Sequence, residues 1–457
     1  MEEDMLYELM HKDVAVAELE MDEEGNVLHL LSVMAADHLP FGTKPNRGLD
    51  SSGLKRWWGN RRIPMSRDDL RNIRGIILPE GASTGALLLR CNGLSLSDCY
   101  WVRVKGSSLT FEEVNFFEND YSYDLGDALL GKSTAETPSF LSPDATSEGN
   151  LAKRWKIING KRTLLKSGTK PYIYEVYNEV IATAVAAHLG IPHVDYYLIQ
   201  DEGDTYCACE DFVSYSQDFV TAYMVHEAGG KHDDESEYAF LLRRFEELGI
   251  SDAKRRMDQM LMLDFILGNE DRHLNNFGLI RDAKSLRFLS FAPIFDTGSC
   301  LGFQLEDSAL ASSMPRPWKP FASSSRPNPL DYMEELPFDY PEALFSLPSI
   351  VNSAMSTMAS LLASRKNAIL QFVSSRVADV AKKYNLEQTM SLGRISKTQQ
   401  AILDYAAFHG RRIENAKALC ASLDIPWITA IRNIGALVSM DKLERIGSKK
   451  TGYWKLR

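Results

Sequence analysis

Between residues 264 and 301 the chain reads DFILGNEDRHLNNFGL and, after a polar turn, FAPIFDTGSCL. These side chains have the types and spacing of a phosphotransfer centre. Asp271 can orient an attacking hydroxyl and accept its proton. Asn276 follows five residues later, and Asp296 comes after two apolar runs, 277–280 and 286–291, joined by Asp282-Ala283-Lys284. An amide oxygen and a carboxylate suit Mg²⁺, the hard cation that neutralises nucleotide phosphates. Asn276 and Asp296 can share it if the intervening hairpin folds back. His273, two residues past the candidate base, is placed where a cation would touch a terminal phosphate. The bland alternative is a polar loop after a helix, since Asp-x4-Asn recurs by chance. The surroundings argue against it: an apolar helix, 257–267, delivers the loop, and Phe-Asp-x-Gly closes the hairpin.

Such a site needs elements to hold a second cation against the inner phosphates. Residues 155–158 and 162–166 read as strands around Asn159-Gly160, a strong hairpin signal, and Lys166 ends the second strand. The loop before them, SPDATSEG at 142–149, has the place of a phosphate cover but lacks a GxGxxG pattern. A mobile surface loop is the other reading, and Thr146 or Ser147 is a candidate for phosphorylation. Residues 174–189 read as a helix stopped by Gly190. Its Glu175 and Glu179 share a face, and Glu179 is the expected partner of Lys166, the alternative being that both are solvated. Strands 194–199 and 205–209 lead to Glu210, Asp211 and Phe212, a segment expected to offer backbone groups to adenine. Asp264, inside the apolar helix, must be buried with a partner, and a hydrogen bond to the loop backbone is expected.

Composition sets the outer limits. The 457 residues are 44% hydrophobic, enough for two to four domains with substantial cores. No apolar run approaches the roughly 18 residues of a membrane span. The N-terminus, MEEDMLYELMHKD, lacks the layout of a secretory signal, and six scattered cysteines suit reduced thiols in a cytoplasm. Net charge is −11, but residues 396–457 hold 11 Lys/Arg against 5 Asp/Glu. That surplus points to an anionic partner.

Residues 1–130 show strands at 6–9, 14–19 and 27–33 and no catalytic constellation, so a scaffold or recognition role is expected. Trp57-Trp58 among Arg56, Arg61 and Arg62 reads either as a base- or phosphate-binding patch or as aromatics packing a helix. The rarity of exposed tryptophan favours packing. Residues 305–330 are rich in Ser and Pro, and 349–384 read as amphipathic helices. At the end, helices at 398–408, 415–423 and 426–437 precede strands 443–446 and 453–456 around GSKKTG. This is the pattern of a winged helix. Lys449 and Lys450 at its wing tip, with Arg432 on the third helix, are candidates for meeting DNA phosphates, and protein binding is the other use of the module.

The division of labour among Asp271, Asn276 and Asp296 resembles that of protein kinases, with Asp271-Arg272-His273 where those read HRD. Phosphoinositide kinases share the DRH…N order. More closely, LLKSG, YNEVIA, GNEDRHLNNFG and APIFDTG in this order resemble the HipA-type serine/threonine kinases, bacterial proteins often found in toxin–antitoxin systems; the likeness covers residues 139–384. It implies an α+β, two-lobed protein-kinase-like fold with a small lobe at 131–212 and a large lobe at 213–386; an N-terminal α+β domain at 1–130 differs from the family's, and the winged helix at 396–457 is an addition to it. It also implies an ATP- and Mg²⁺-dependent protein kinase with Asp271 as base, Asn276 and Asp296 on the metal, and Lys166 on ATP. Autophosphorylation within 142–147 would be an off-switch, and an antitoxin and a protein substrate would be its partners. Two other classes remain. One is a lipid or small-molecule kinase, for which Arg316 and Lys319 are a thin docking element and no membrane segment is seen. The other is a DNA-binding regulator whose kinase fold senses nucleotide.

Overall fold

The computed structural model describes residues 5–44, 49–65, 67–73, 83–132, 139–146, 149–311, 319–323, 328–386, 396–439, 442–447 and 452–457. The chain forms two compact units, Met1–Pro337 with Ser349–Val373, and Phe338–Pro348 with Ser374–Arg457.

The larger unit opens with an antiparallel sheet in the order β3-β2-β1-β4, formed by β1 (Met5–His11), β2 (Val14–Met21), β3 (Val27–Val33) and β4 (Tyr100–Val104). Leu9, Val16, Ala17, Leu19 and Trp101 are buried in its core. Helix α1 (Ser52–Asn60) covers this core with Leu54, Trp57 and Trp58, so the tryptophan pair packs rather than binds. Short helices α2 (Gly85–Arg90), α3 (Phe111–Val114) and α4 (Asp124–Leu129) complete the segment. The hydrophobic core does not stop at residue 130. Ala145 belongs to it, and Trp155, Ile157, Tyr215 and Met224 pack against it.

A second antiparallel sheet, ordered β5-β6-β8-β7, contains β5 (Lys153–Ile158), β6 (Lys161–Lys166), β7 (Tyr196–Asp201) and β8 (Asp204–Glu210). Asn159 and Gly160 turn between β5 and β6 with φ of 53° and 78°, the positive pair a tight hairpin requires. The register sets Lys153 opposite Lys166. Helix α5 (Tyr174–Leu189) packs on β7 and β8 and ends at Gly190 in the left-handed region.

The third sheet is β11-β10-β9, from β9 (Gln217–Thr221), β10 (Gly278–Asp282) and β11 (Phe288–Phe291). Around it lie α6 (Ala222–Glu227), α7 (Glu237–Glu247) and α8 (Ala253–Leu267); α9 (Asp307–Ala311), α10 (Leu347–Met355) and α11 (Ala363–Lys383) follow. A buried polar cluster ties this sheet to the first. Asp218 on β9 meets His11 at 3.1 Å and Arg281 at 2.8 Å, and Arg281 also donates to the Tyr100 hydroxyl.

In the smaller unit, α12 (Lys397–Phe408), α13 (Ala416–Leu423) and α14 (Trp427–Ser439) surround a core of Ile402, Leu419, Ile434 and Leu437. A three-stranded antiparallel sheet, β12-β14-β13, completes it with β12 (Arg412–Ile413), β13 (Leu443–Ile446) and β14 (Tyr453–Leu456). Arg432 is not a free cation. It lies over the Tyr340 ring at 5.7 Å, and Tyr340 donates to Thr429 on the same helix. Lys449 and Lys450 fall outside the described residues. Among the described residues no helix is long and apolar enough to cross a membrane.

Candidate active site

Lys166 comes to the end of β6 pointing into a cleft, and its ammonium is buried between two carboxylates. Nζ donates to Glu179 Oε1 at 2.8 Å, to Asp296 Oδ1 at 2.6 Å and to the Tyr196 hydroxyl at 3.2 Å. Burial alone would strip the lysine of its proton; Asp296 and Glu179 outweigh it and hold the ammonium well above the ordinary lysine range. Asp296 responds in kind. Burial works against its charge, but Lys166 and then Lys153 hold its carboxyl well below the usual carboxylate range. Glu179 is therefore the lysine's partner. Glu175 instead accepts from the backbone and hydroxyl of Thr169.

The second oxygen of Glu179 accepts the Thr297 N–H at 3.0 Å, and Asn178 donates to the carbonyls of Gly298 and Cys300. One face of α5 thus fixes both the lysine and the loop carrying Asp296. That loop passes so close to the helix that a Cβ on Gly298 would stand 2.9 Å from the Glu175 carbonyl. Asp296 itself has φ of 55°.

The loop after α8 is organised by Arg272, which has no exposed surface. It binds Asp264 through two bonds of 3.0 and 2.9 Å and donates to the carbonyls of Asn276 and Phe295 and to the Thr297 hydroxyl. The partner of Asp264 is therefore mainly this guanidinium, with Asn269 Nδ2 at 2.8 Å, rather than the loop backbone alone. Asp271 is left exposed, its N–H on Asn269 Oδ1. Asn276 is buried, with Nδ2 turned to the Asp271 carbonyl at 3.5 Å. His273 is half-buried, and burial lowers its pKa against the pull of Asp271 and Asp296. At neutral pH it is a neutral hydrogen-bonding group, not the expected cation.

The cleft holds about 700 Å³ and is lined by Lys153, Lys166, Tyr196, His273, Asn276 and Asp296 as well as Glu210, Asp211 and Phe212. Glu210 turns its carboxylate to Lys161. Phe212 packs its ring on Phe219 and Phe295. Asp211 accepts the Val213 N–H at 3.0 Å, while its Oδ2 is buried with no hydrogen-bond partner among the described residues. Burial pushes its carboxyl up to about 8.

Thr146 is buried, and its hydroxyl is shared between the carbonyls of Leu94 and Pro143. Phosphorylation there requires that hydroxyl to leave both. Ser147 lies outside the described residues. Three contributors were not foreseen from sequence: Arg272, Tyr196 and Lys153. Arg272 could have been found by asking which cation matches a buried Asp264. Lys153 could have been found by extending the 162–166 strand register backward. Tyr196 carries no distinguishing signal.

An amide oxygen beside a carboxylate whose side chain reaches the cleft is a donor set that fits a hard divalent ion. Among the described residues no group of three or more His, Cys, Asp or Glu gathers to hold a metal, so such an ion would need phosphate oxygens as well.

Fold and cleft belong to a mixed α and β class of several small sheets, and comparison with known proteins narrows it. Residues 148–326 match the family model of the HipA-like C-terminal domain. Serine/threonine-protein kinase CtkA of Helicobacter pylori (strain J99) is 27% identical over 142 residues, which are 30% of this chain and 43% of that protein. The chain thus spans less than half the length of this curated relative. A chain of the Shewanella oneidensis MR-1 toxin–antitoxin complex of HipA, HipB and operator DNA aligns at a TM-score of 0.50 and 14% identity, covering 83% of this chain and 97% of that one. The H. pylori proinflammatory kinase CtkA aligns at 0.43 and 19% identity, over 54% of this chain and 94% of that one. Residues 148–326 thus carry a HipA-like C-terminal domain.

Proposed function

We propose that the chain is an ATP- and Mg²⁺-dependent serine/threonine protein kinase of HipA type. One observation carries the reading: Lys166 bound to both Glu179 and Asp296, at 2.8 and 2.6 Å, in a cleft that also holds Asn276. Lys166 would bind the inner phosphates of ATP, with Glu179 keeping it charged and aimed. Asn276 and Asp296 would hold Mg²⁺, which supplies charge neutralisation on the phosphates. Asp271, exposed at the loop tip, would orient the acceptor hydroxyl and accept its proton, and His273 would donate a hydrogen bond beside it. The test is incubation with γ-labelled ATP and Mg²⁺, wild type beside Asp271→Ala and Asp296→Ala, read by mass spectrometry. Transfer in the wild type and a loss of about 100-fold or more in each variant is expected. Equal labelling of all three would refute the assignment.

A second reading, duplex DNA binding, is favoured by the exposed cations Arg411, Arg412, Lys417, Lys442, Lys455 and Arg457 of the smaller unit. The Shewanella complex holds HipB and operator DNA, and we propose both partner classes for this chain on that footing. Affinity of the full chain for duplex DNA should fall steeply with salt if phosphates are contacted. A flat salt response would remove the DNA partner.

A further inference from the structure

The cleft does not end at the catalytic loop. Besides His273 and Asn275 its lining takes in Tyr223, Met224 and Glu227 of α6, residues of α1, and the Phe41–Thr43 turn, whose Gly42 packs against the Met224 carbonyl. A neighbouring cavity of about 610 Å³ shares Phe41, Gly42, Thr43, Gly53, Arg56 and Glu227 with it. The N-terminal segment therefore walls part of the cleft.

The cations on these walls differ in what already holds them. Arg61 is buried on Asp98 and the Gly93 carbonyl, and Arg62 donates to the Gly25 carbonyl. Arg281 is bound to Asp218 and Lys166 to its two carboxylates, whereas Lys44, on the neighbouring cavity alone, meets Asp37 in an exposed pair. Arg56, which lines both cavities, likewise meets an exchangeable partner, Glu227 at 3.0 Å, with the two side chains 57% and 30% exposed. Exposed pairs of this kind contribute little, so a ligand carboxylate can take the place of Glu227. Lys319, exposed, adds positive charge near His273.

We infer that this outer half of the cleft is the acceptor site of the proposed kinase. It takes a serine- or threonine-bearing polypeptide segment with acidic side chains beside the acceptor, and Arg56 reads those carboxylates. The inference rests on the kinase reading for its chemistry, but binding can be measured apart from it.

Full-length protein is titrated into fluorescein-labelled peptides carrying one serine flanked by Glu, Gln or Lys. Binding is read by anisotropy, and transfer to the same peptides is read from γ-labelled ATP. The Glu peptide binds tightest to wild type. Arg56→Ala weakens it about tenfold in Kd and in KM, leaving kcat and the KM for ATP unchanged. Arg56→Glu turns the preference toward the Lys peptide, and Glu227→Gln tightens the Glu peptide by freeing Arg56. Equal affinity of wild type for all three peptides, or an Arg56→Ala protein indistinguishable from wild type, overturns the inference. Selective binding with no transfer to any peptide or to the chain itself would instead remove the kinase reading and leave an acidic-peptide site standing.

Discussion

Arg272 and Asp264 meet side-on through two hydrogen bonds of 3.0 and 2.9 Å, with neither side chain reaching solvent. The pair joins α8 to the loop carrying Asp271, and the remaining donors of Arg272 reach the Phe295 carbonyl and the Thr297 hydroxyl on either side of Asp296. One guanidinium therefore fixes the distance between candidate base and candidate metal ligand. Arg272→Lys keeps the charge but cannot reach five acceptors with one nitrogen. It should lose about 3 kcal/mol in urea unfolding, as broken buried pairs do, and label transfer should fall with it. A variant with wild-type stability and transfer would show that the pair is not needed.

Lys166→Met leaves Glu179 and Asp296 without their shared cation. Asp296 in the wild type is held below its ordinary value, so its stabilising contribution is present above the unfolded carboxyl value near 4 and lost as pH falls through the folded one. In the variant the largest source of that depression is gone, and Lys153 is left to oppose burial. The melting-temperature gap between wild type and variant should then be widest near pH 7 and close toward pH 4. Thermal melts across that range decide it; a gap independent of pH would mean the lysine acts by packing alone. Transfer from ATP should fall about 100-fold or more.

Much of this site could be read in the chain because its chemistry is local. The Asn159-Gly160 turn fixes β5 against β6, the run 174–189 forms the α5 helix with Gly190 as its stop, and Glu179, one turn after Glu175 on the same face, is the one that meets Lys166. What escaped is long-range. Strand β9 is five residues with polar ends, and it exists because β10 pairs with it over Gln217–Thr221. The burial that keeps His273 neutral and the core that Ala145 and Trp155 share with the first 130 residues depend on packing between distant segments. No periodicity within 1–130 shows that α1 will line the cleft of Lys166 and Asp296.

Asp144 offers a pH test in the segment leading to the phosphate loop. It is fully buried, accepts the Trp155 N–H at 2.9 Å and the Ser142 hydroxyl at 2.9 Å, and burial still pushes its carboxyl up to about 7. A raised carboxyl binds its proton more tightly folded than unfolded. Its contribution is complete below the unfolded value near 4 and is lost as pH rises toward 7. Asp144→Asn keeps the shape and cannot ionise. Its melting temperature relative to wild type should therefore climb between pH 4 and pH 7, by an amount equivalent to about 1–3 kcal/mol, and level off above. Parallel pH profiles for the two proteins would refute the assignment.

The outward face of α14 bears on which partner the smaller unit meets. Trp427, Ile428 and Ile431 are its exposed side chains, Ile428 at 67%, whereas Arg432 is engaged with Tyr340. A helix that reads base edges presents donors and acceptors there, and this one presents hydrocarbon. Arg432→Ala should therefore act on stability, costing about 0.5–1 kcal/mol for the lost ring contact. It should leave the salt dependence of duplex binding by the full chain unaltered. Arg411→Ala with Lys455→Ala, both exposed, should instead reduce that dependence by roughly one charge each if DNA is bound. Affinity measured at several salt concentrations separates the two. A shallower slope in Arg432→Ala alone would return that residue to the DNA interface and place phosphate against α14.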